Sequence, residues 1–275
     1  MPFTPAKTMW GGGGRPFAQA SNNESSAEQN GAIASAEAVV HPDFQFATPP
    51  LARVCAVDTE AGDRIMPKPT SVAALAKFGR NRLSKSFFMR DFLFSDIAAI
   101  HGLANVPDDP ELAIAAGTRL CEELLEPLQD KFGRIAIRSA YRSKEVNALG
   151  NEMQRQGKGD YSCASNEANY AAHIWDERDA GGHMGATACI VVPSFLDRFP
   201  QDGDWQKLAW WIHDHLPYSS LYFFKELRAF NIQWHEQPER RIDSYAEPKG
   251  CLTKPDMANH AGSHESEWRM IVSGA

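Results

Sequence analysis

The run DDPELAIAAGTRLCEELLEPLQDKFGRIAIRSAY, from Asp108 to Tyr141, constrains the fold of this chain more than any other stretch. Asp109 is a natural helix cap, and Pro110 fits the first helical position, where no backbone donor is needed. Leu112, Ala116, Leu120, Leu124 and Leu128 then recur at helical spacing until Gly133. Pro127 removes a backbone donor inside this pattern, so the last turn should kink or restart there. RIAIRSAY follows at once and alternates apolar with polar residues, the signature of a half-buried strand. A long amphipathic helix handing over to such a strand points to helices covering one face of a sheet, the α+β class.

The remaining segments extend this reading. LFSDIAAIHGLAN carries Ser95 or Asp96 as cap and Gly102 as stop, which predicts a short helix. The span 147–170 is polar and reads as helix then loop. GATACIVVPSF reads as a strand ended by Pro193, and DWQKLAWWIHDHLP puts Trp205, Leu208, Ala209, Ile212 and Leu216 on one helical face. YSSLYFF and AFNIQWHE read as two strands joined by a turn around KELR. The expected architecture is α+β, helices packed on a small antiparallel sheet, with the domain at 83–245. Residues 246–275 read as a polar tail wrapping the surface. Residues 1–82 are Gly-, Ser-, Ala-, Asn- and Pro-rich, with four glycines at Gly11 to Gly14, and read as an arm and linker in which LARVCAVDT is a short strand.

Bulk properties narrow the function. Among 275 residues, 43% are hydrophobic and 23% charged, ordinary for a globular protein. No apolar run approaches the roughly 20 residues of a membrane span, so no membrane role is expected. The first residues lack the apolar core of a secretory signal, which predicts synthesis and retention in the cytoplasm. Five scattered cysteines without a CxxC pair fit a reducing compartment better than a disulfide framework. A net charge of −7 argues against a nucleic-acid partner, because phosphate contacts need clustered Lys and Arg.

The run from Phe92 to Gly150, with its EPLQDKFGRIAIRSAYRS core, followed by GATACI and later IQWHE, resembles the M15 family of zinc D-Ala-D-Ala carboxypeptidases and peptidoglycan endopeptidases. The likeness spans 92–236, roughly half the chain. It implies a hedgehog/DD-peptidase-like fold, a Zn2+ cofactor and a peptidoglycan peptide as substrate. That family holds zinc through a His and an Asp in a His-x-x-Gly-x-Ala-x-Asp stretch and through a later His after Trp. Three protein ligands leave an open position at which water is acidified.

Carried over residue by residue, the resemblance makes His235, after Trp234, the last ligand. Gly185 aligns with the family glycine, which puts Cys189 where the Asp belongs and Gly182 where the first His belongs. Two solutions therefore compete. His173 with Asp176, in HIWD, supplies both an imidazole and a carboxylate. His183 with Cys189 supplies an imidazole and a thiol, although a cysteine within an apolar run is more often simply buried. Asp176, Glu177 and Asp179 equally suit a solvated acidic loop. Ile232 and Gln233 cannot be the base that the family carries before its last histidine, which leaves Glu236. Arg142 resembles the arginine that holds a substrate carboxylate or oxyanion, and Tyr141 beside it is a candidate lining residue. His213 and His215, two apart on one helix, are poor co-ligands, and His260 with His264 in NHAGSH reads as a loop. The tryptophans of LAWW read as core.

Two functions follow from the resemblance. One is a zinc peptidase directed at peptidoglycan peptides, reaching the wall from a phage particle or after lysis. The other is a catalytically inactive relative serving as a structural or interaction module, assembling with a neighbour through the N-terminal arm, for instance in a virion.

Overall fold

The computed structural model describes residues 66–272. Residues 1–65, which hold most of the arm and the strand expected at LARVCAVDT, lie outside the described residues. The helices are α1 (Val72–Gly79), α2 (Asp96–His101), α3 (Pro110–Leu120), α4 (Glu126–Phe132), α5 (Lys144–Arg155), α6 (Asn166–Asn169), α7 (Pro193–Arg198), α8 (Trp205–His215) and α9 (Glu265–Val272). The strands are β1 (Ala136–Ser139), β2 (Gly185–Val191), β3 (Ser220–Phe223), β4 (Phe230–His235), β5 (Arg241–Ser244) and β6 (Gly250–Thr253).

Local chemistry explains the element ends. The Asp109 carboxylate accepts from Leu112 N at 3.0 Å and caps α3, with Pro110 behind it. Ser95 caps α2, and Gly102 closes it at φ 66°, a conformation that favours glycine. Pro127 does not end the helix. A π-turn at Cys121–Leu125 precedes it, and the Glu126 N–H bonds back to Cys121 O, so the chain re-phases before reaching the residue that cannot donate.

The sheet has six strands in the order β1-β2-β4-β3-β5-β6. All neighbouring pairs are antiparallel except β3 and β5, which are parallel. The α+β class therefore holds, while the sheet is mixed rather than antiparallel. The parallel pairing comes from β5, and the polar tail departs from expectation as well. Instead of wrapping the surface, it adds β6 at the sheet edge, and it places α9 against α8 with Ile271 in the core. At the other end α1 also joins the core through Phe78. The compact unit thus extends past both boundaries suggested by composition.

One face of the sheet is apolar and the other polar. Ala186, Ala188 and Ile190 of β2, Leu221 and Phe223 of β3, and Phe230, Ile232 and Trp234 of β4 enter one core with the leucines of α3 and α4 and with Trp205, Leu208 and Ile212 of α8. The alternate residues face the other way. Register sets Gly185 opposite His235, Thr187 opposite Gln233 and Cys189 opposite Asn231. A one-residue slip would bury this polar set, so the hydrophobic pattern fixes the register and with it the alignment of the open face.

Candidate functional site

The segment between α6 and β2 folds back over the open face. Thr187 N donates to Ala172 O at 2.9 Å, and the Gln233 side chain donates to Ala171 O at 3.0 Å. The far part of this loop wraps around one carboxylate. Asp179 Oδ1 accepts from the backbone N–H groups of Gly181, at 2.9 Å, and His183, at 2.8 Å, while Gly182 turns the chain at φ 82°. These backbone donors, His183 N foremost, hold the Asp179 carboxyl below the usual carboxylate range.

Asp179 also joins two histidines. Its Oδ1 lies 3.4 Å from His183 Nδ1 and its Oδ2 lies 3.3 Å from His235 Nε2; the two rings stand 5.9 Å apart between centroids. His235 Nδ1 is 3.0 Å from both the N and the O of Gln237. Two tautomers are thereby supported. When Nδ1 accepts from Gln237 N, Nε2 carries a proton toward Asp179. When Nδ1 donates to Gln237 O, Nε2 presents a lone pair, the state a metal ligand requires.

His173 is buried and belongs to a different contact. Its Nδ1 lies 2.7 Å from Ala140 O, and since a carbonyl only accepts, Nδ1 holds the proton and Nε2 a lone pair. Burial, aided by the Arg142 charge, lowers its pKa to about 3. His173 is therefore a neutral acceptor at ordinary pH.

These groups line a cleft of about 710 Å³ that includes His173, Asp179, His183, Gln233, His235 and Glu239. A second cavity of about 470 Å³ shares Asn169, His173 and Asn231 with the first, and is lined by Arg138, Arg142 and Cys189 among others. The open face thus presents an imidazole and carboxylate cluster on one side of His173 and a guanidinium region on the other. Arg142 Nη1 donates to Asn147 Oδ1 at 3.3 Å and to Cys163 Sγ at 2.6 Å; its buried Nε lacks a protein partner.

Several sequence-derived assignments change. Asp176 is buried on the loop's near side, but its Oδ2 accepts from Asp108 N at 2.7 Å, and it does not line the cleft. The His173 and Asp176 pair is therefore not assembled, and burial raises the Asp176 pKa. Tyr141 is fully buried against Trp175 beside Asp176, in the core rather than in either cavity. Glu236 turns away: its Oε2 accepts from Met184 N at 2.8 Å and sits 3.6 Å from Arg178. Cys189 lines the Arg142 side, and burial pushes its thiol up to about 11, so it is a protonated wall residue there. The structure does bring His183 and His235 together. Their common partner, Asp179, was legible only as part of an acidic run; its i to i+4 spacing from His183 was the available signal.

Donor chemistry fits a divalent cation at Asp179, His183 and His235, one carboxylate and two imidazoles. The fit requires closure. Among the described residues, one set of three donors converges to within 4.8 Å, and it is His213, Asp214 and His264, outside the cleft. His183 is the side chain with room to move, being 35% exposed against 12% for His235.

The fold and cleft define an α+β protein with a histidine-lined polar groove on the uncovered face of its sheet. Comparison with protein-family models, with curated proteins and with solved structures found no match.

Proposed function

We propose that this protein is a zinc-dependent, M15-like amide hydrolase of hedgehog/DD-peptidase type directed at peptidoglycan peptides, with Asp179, His183 and His235 as the metal-holding residues. The observation that carries the proposal is the single carboxylate reaching two histidines in the lining of a substrate-sized cleft. Zinc held there supplies polarisation of an amide carbonyl and acidification of water. The protein's own residues supply the rest. Arg142 offers a fork of donors to a peptide carboxylate on one side of His173, and the neutral His173 Nε2 accepts from a substrate N–H between the two regions. The proton-transferring role falls to Glu239, a cleft carboxylate four residues past His235, in place of the engaged Glu236.

The test is zinc analysis together with muropeptide digestion followed by mass spectrometry. Wild-type protein is expected to release D-amino-acid products and Asp179→Asn to lose them with its cleft zinc. Intact muropeptides after incubation with zinc-loaded wild type would refute the enzyme. That result would favour the second reading, an inactive relative used as an interaction module, which the engaged Glu236 and the buried thiol of Cys189 support.

A further inference from the structure

A second cluster of histidines joins α8 to the C-terminal segment. His264 Nε2 lies 2.8 Å from Asn259 O, so it carries a proton. Its Nδ1 then faces Asp214 Oδ1 at 2.7 Å. A neutral imidazole would set a lone pair against a carboxylate oxygen there, so this contact calls for positive charge, supplied either by a proton on Nδ1 or by a metal ion. His213 stands beside this pair. His213 Nε2 lies 2.9 Å from His260 O, and its Nδ1 lies 2.6 Å from the Tyr218 hydroxyl, which can serve as donor or acceptor. A carbonyl only accepts, so His213 Nε2 carries the proton toward His260 O and Nδ1 accepts from the Tyr218 hydroxyl; His213 becomes a ligand by giving up one of these two bonds. The His213 ring stands 4.9 Å from that of His260 and 5.2 Å from that of His264.

We infer that His213, Asp214 and His264, with His260 beside them, form a structural site for a divalent first-row cation, zinc by donor type, that clamps the C-terminal segment to α8. Donor atoms of the three converge to within 4.8 Å. Two ligands on a tetrahedral zinc at about 2.0–2.1 Å stand about 3.3 Å apart, so the His264 and Asp214 pair needs to open by well under an ångström. The outer contacts a zinc site uses are already in place. Asn259 O fixes the His264 tautomer, Trp268 Nε1 donates to Asp214 Oδ2 at 2.7 Å, and the His264 ring stacks on Trp210 at 3.9 Å. His264 N also donates to Asp214 Oδ2 at 2.7 Å. Arg240 is the opposing charge nearby, but its guanidinium is held by the carbonyls of His213 and Leu216 and lies over Tyr218. A cavity of about 470 Å³ opens onto the cluster and gives an ion a route in.

This site is independent of the cleft, with which it shares no residue. The test uses the full chain, stripped with EDTA and reloaded with Zn2+, with metal content and hydrogen exchange as readouts. Wild type is expected to hold one zinc that His264→Gln and Asp214→Asn both lose and that Asp179→Asn keeps. Zinc is expected to slow exchange across 254–272 by about tenfold or more in wild type and not in His264→Gln. His264→Gln retaining every zinc of wild type would overturn the inference, as would exchange in 254–272 that is the same with zinc and with EDTA. The second outcome means that protons alone hold the cluster. Loss of the cleft metal in Asp179→Asn would leave the tail zinc in place, so the two assignments fail separately.

Discussion

Acidification should destabilise the metal-free fold through His173 in a calculable way. In the folded state burial lowers its pKa to about 3, whereas in an unfolded chain it titrates near 6.5. The folded pKa is the lower one, so the unfolded state binds the extra proton between those values. The contribution is fully present above about pH 6.5 and is lost as pH falls toward about 3. One differential proton is worth about 1.4 kcal/mol per pH unit, which gives about 2 kcal/mol at pH 5. Other groups contribute as well, among them Asp176, whose pKa burial raises and which therefore acts with the opposite sign. They cancel in a comparison with His173→Gln, which does not titrate and keeps a polar side chain beside Ala140 O. Urea unfolding in EDTA at pH 7.5, 6 and 5 measures both proteins. The stability of wild type minus that of His173→Gln should fall by about 2 kcal/mol from pH 7.5 to pH 5. A difference constant across that range would refute the assignment of His173 as a buried neutral imidazole.

Further predictions rest on close contacts. A Cβ at Gly185 would lie 2.2 Å from Ala171 O and 2.7 Å from His235 Cδ2, so Gly185→Ala should cost about 3 kcal/mol in denaturant unfolding and weaken cleft zinc binding as His235 is displaced. Buried Glu126 accepts from the Ser84 hydroxyl, Ser86 N and the Ser86 hydroxyl at 2.6, 2.6 and 3.0 Å; Glu126→Ala strands these donors and should lower stability by about 3 kcal/mol in the same assay. In muropeptide turnover, Glu239→Gln should reduce kcat by about 100-fold, while Glu236→Gln stays within about threefold of wild type.

The helices and inner strands were legible because their signals are local. Asp109 and Pro110 start α3 as their chemistry dictates, and the alternation of FNIQWH survives as Phe230, Ile232 and Trp234 inward against Asn231, Gln233 and His235 outward. The tail was misread because β6 gains its order from pairing with β5, and α9 from packing on α8. β6 is only four residues long, and the apolar residues of α9 are crowded at its C-terminal end, after a polar Pro- and Gly-containing stretch. The site was half legible for the same reason. His183 and His235 stood out as residue types near apolar strands, but the choice between Asp176 and Asp179 depends on which way each point of a loop faces. Asp176 turns to the backbone of Asp108, and Asp179 is aimed at the cleft by the turn through Gly181 and Gly182. No periodicity encodes that. The cluster around His264 is not legible in sequence, because His213 and His260 lie on separate segments, 47 residues apart, which only the tertiary fold brings together.

The proposed function stands on Asp179 uniting His183 and His235 around one metal ion. Zinc per chain, measured by elemental analysis after EDTA stripping, reloading and exhaustive dialysis, tests it most directly when wild type is set beside Asp179→Asn and His235→Ala. Each variant should hold one zinc fewer than wild type while keeping the wild-type circular dichroism spectrum. Variants that fold normally and retain the full wild-type zinc content would rule out a metal held by Asp179 and His235.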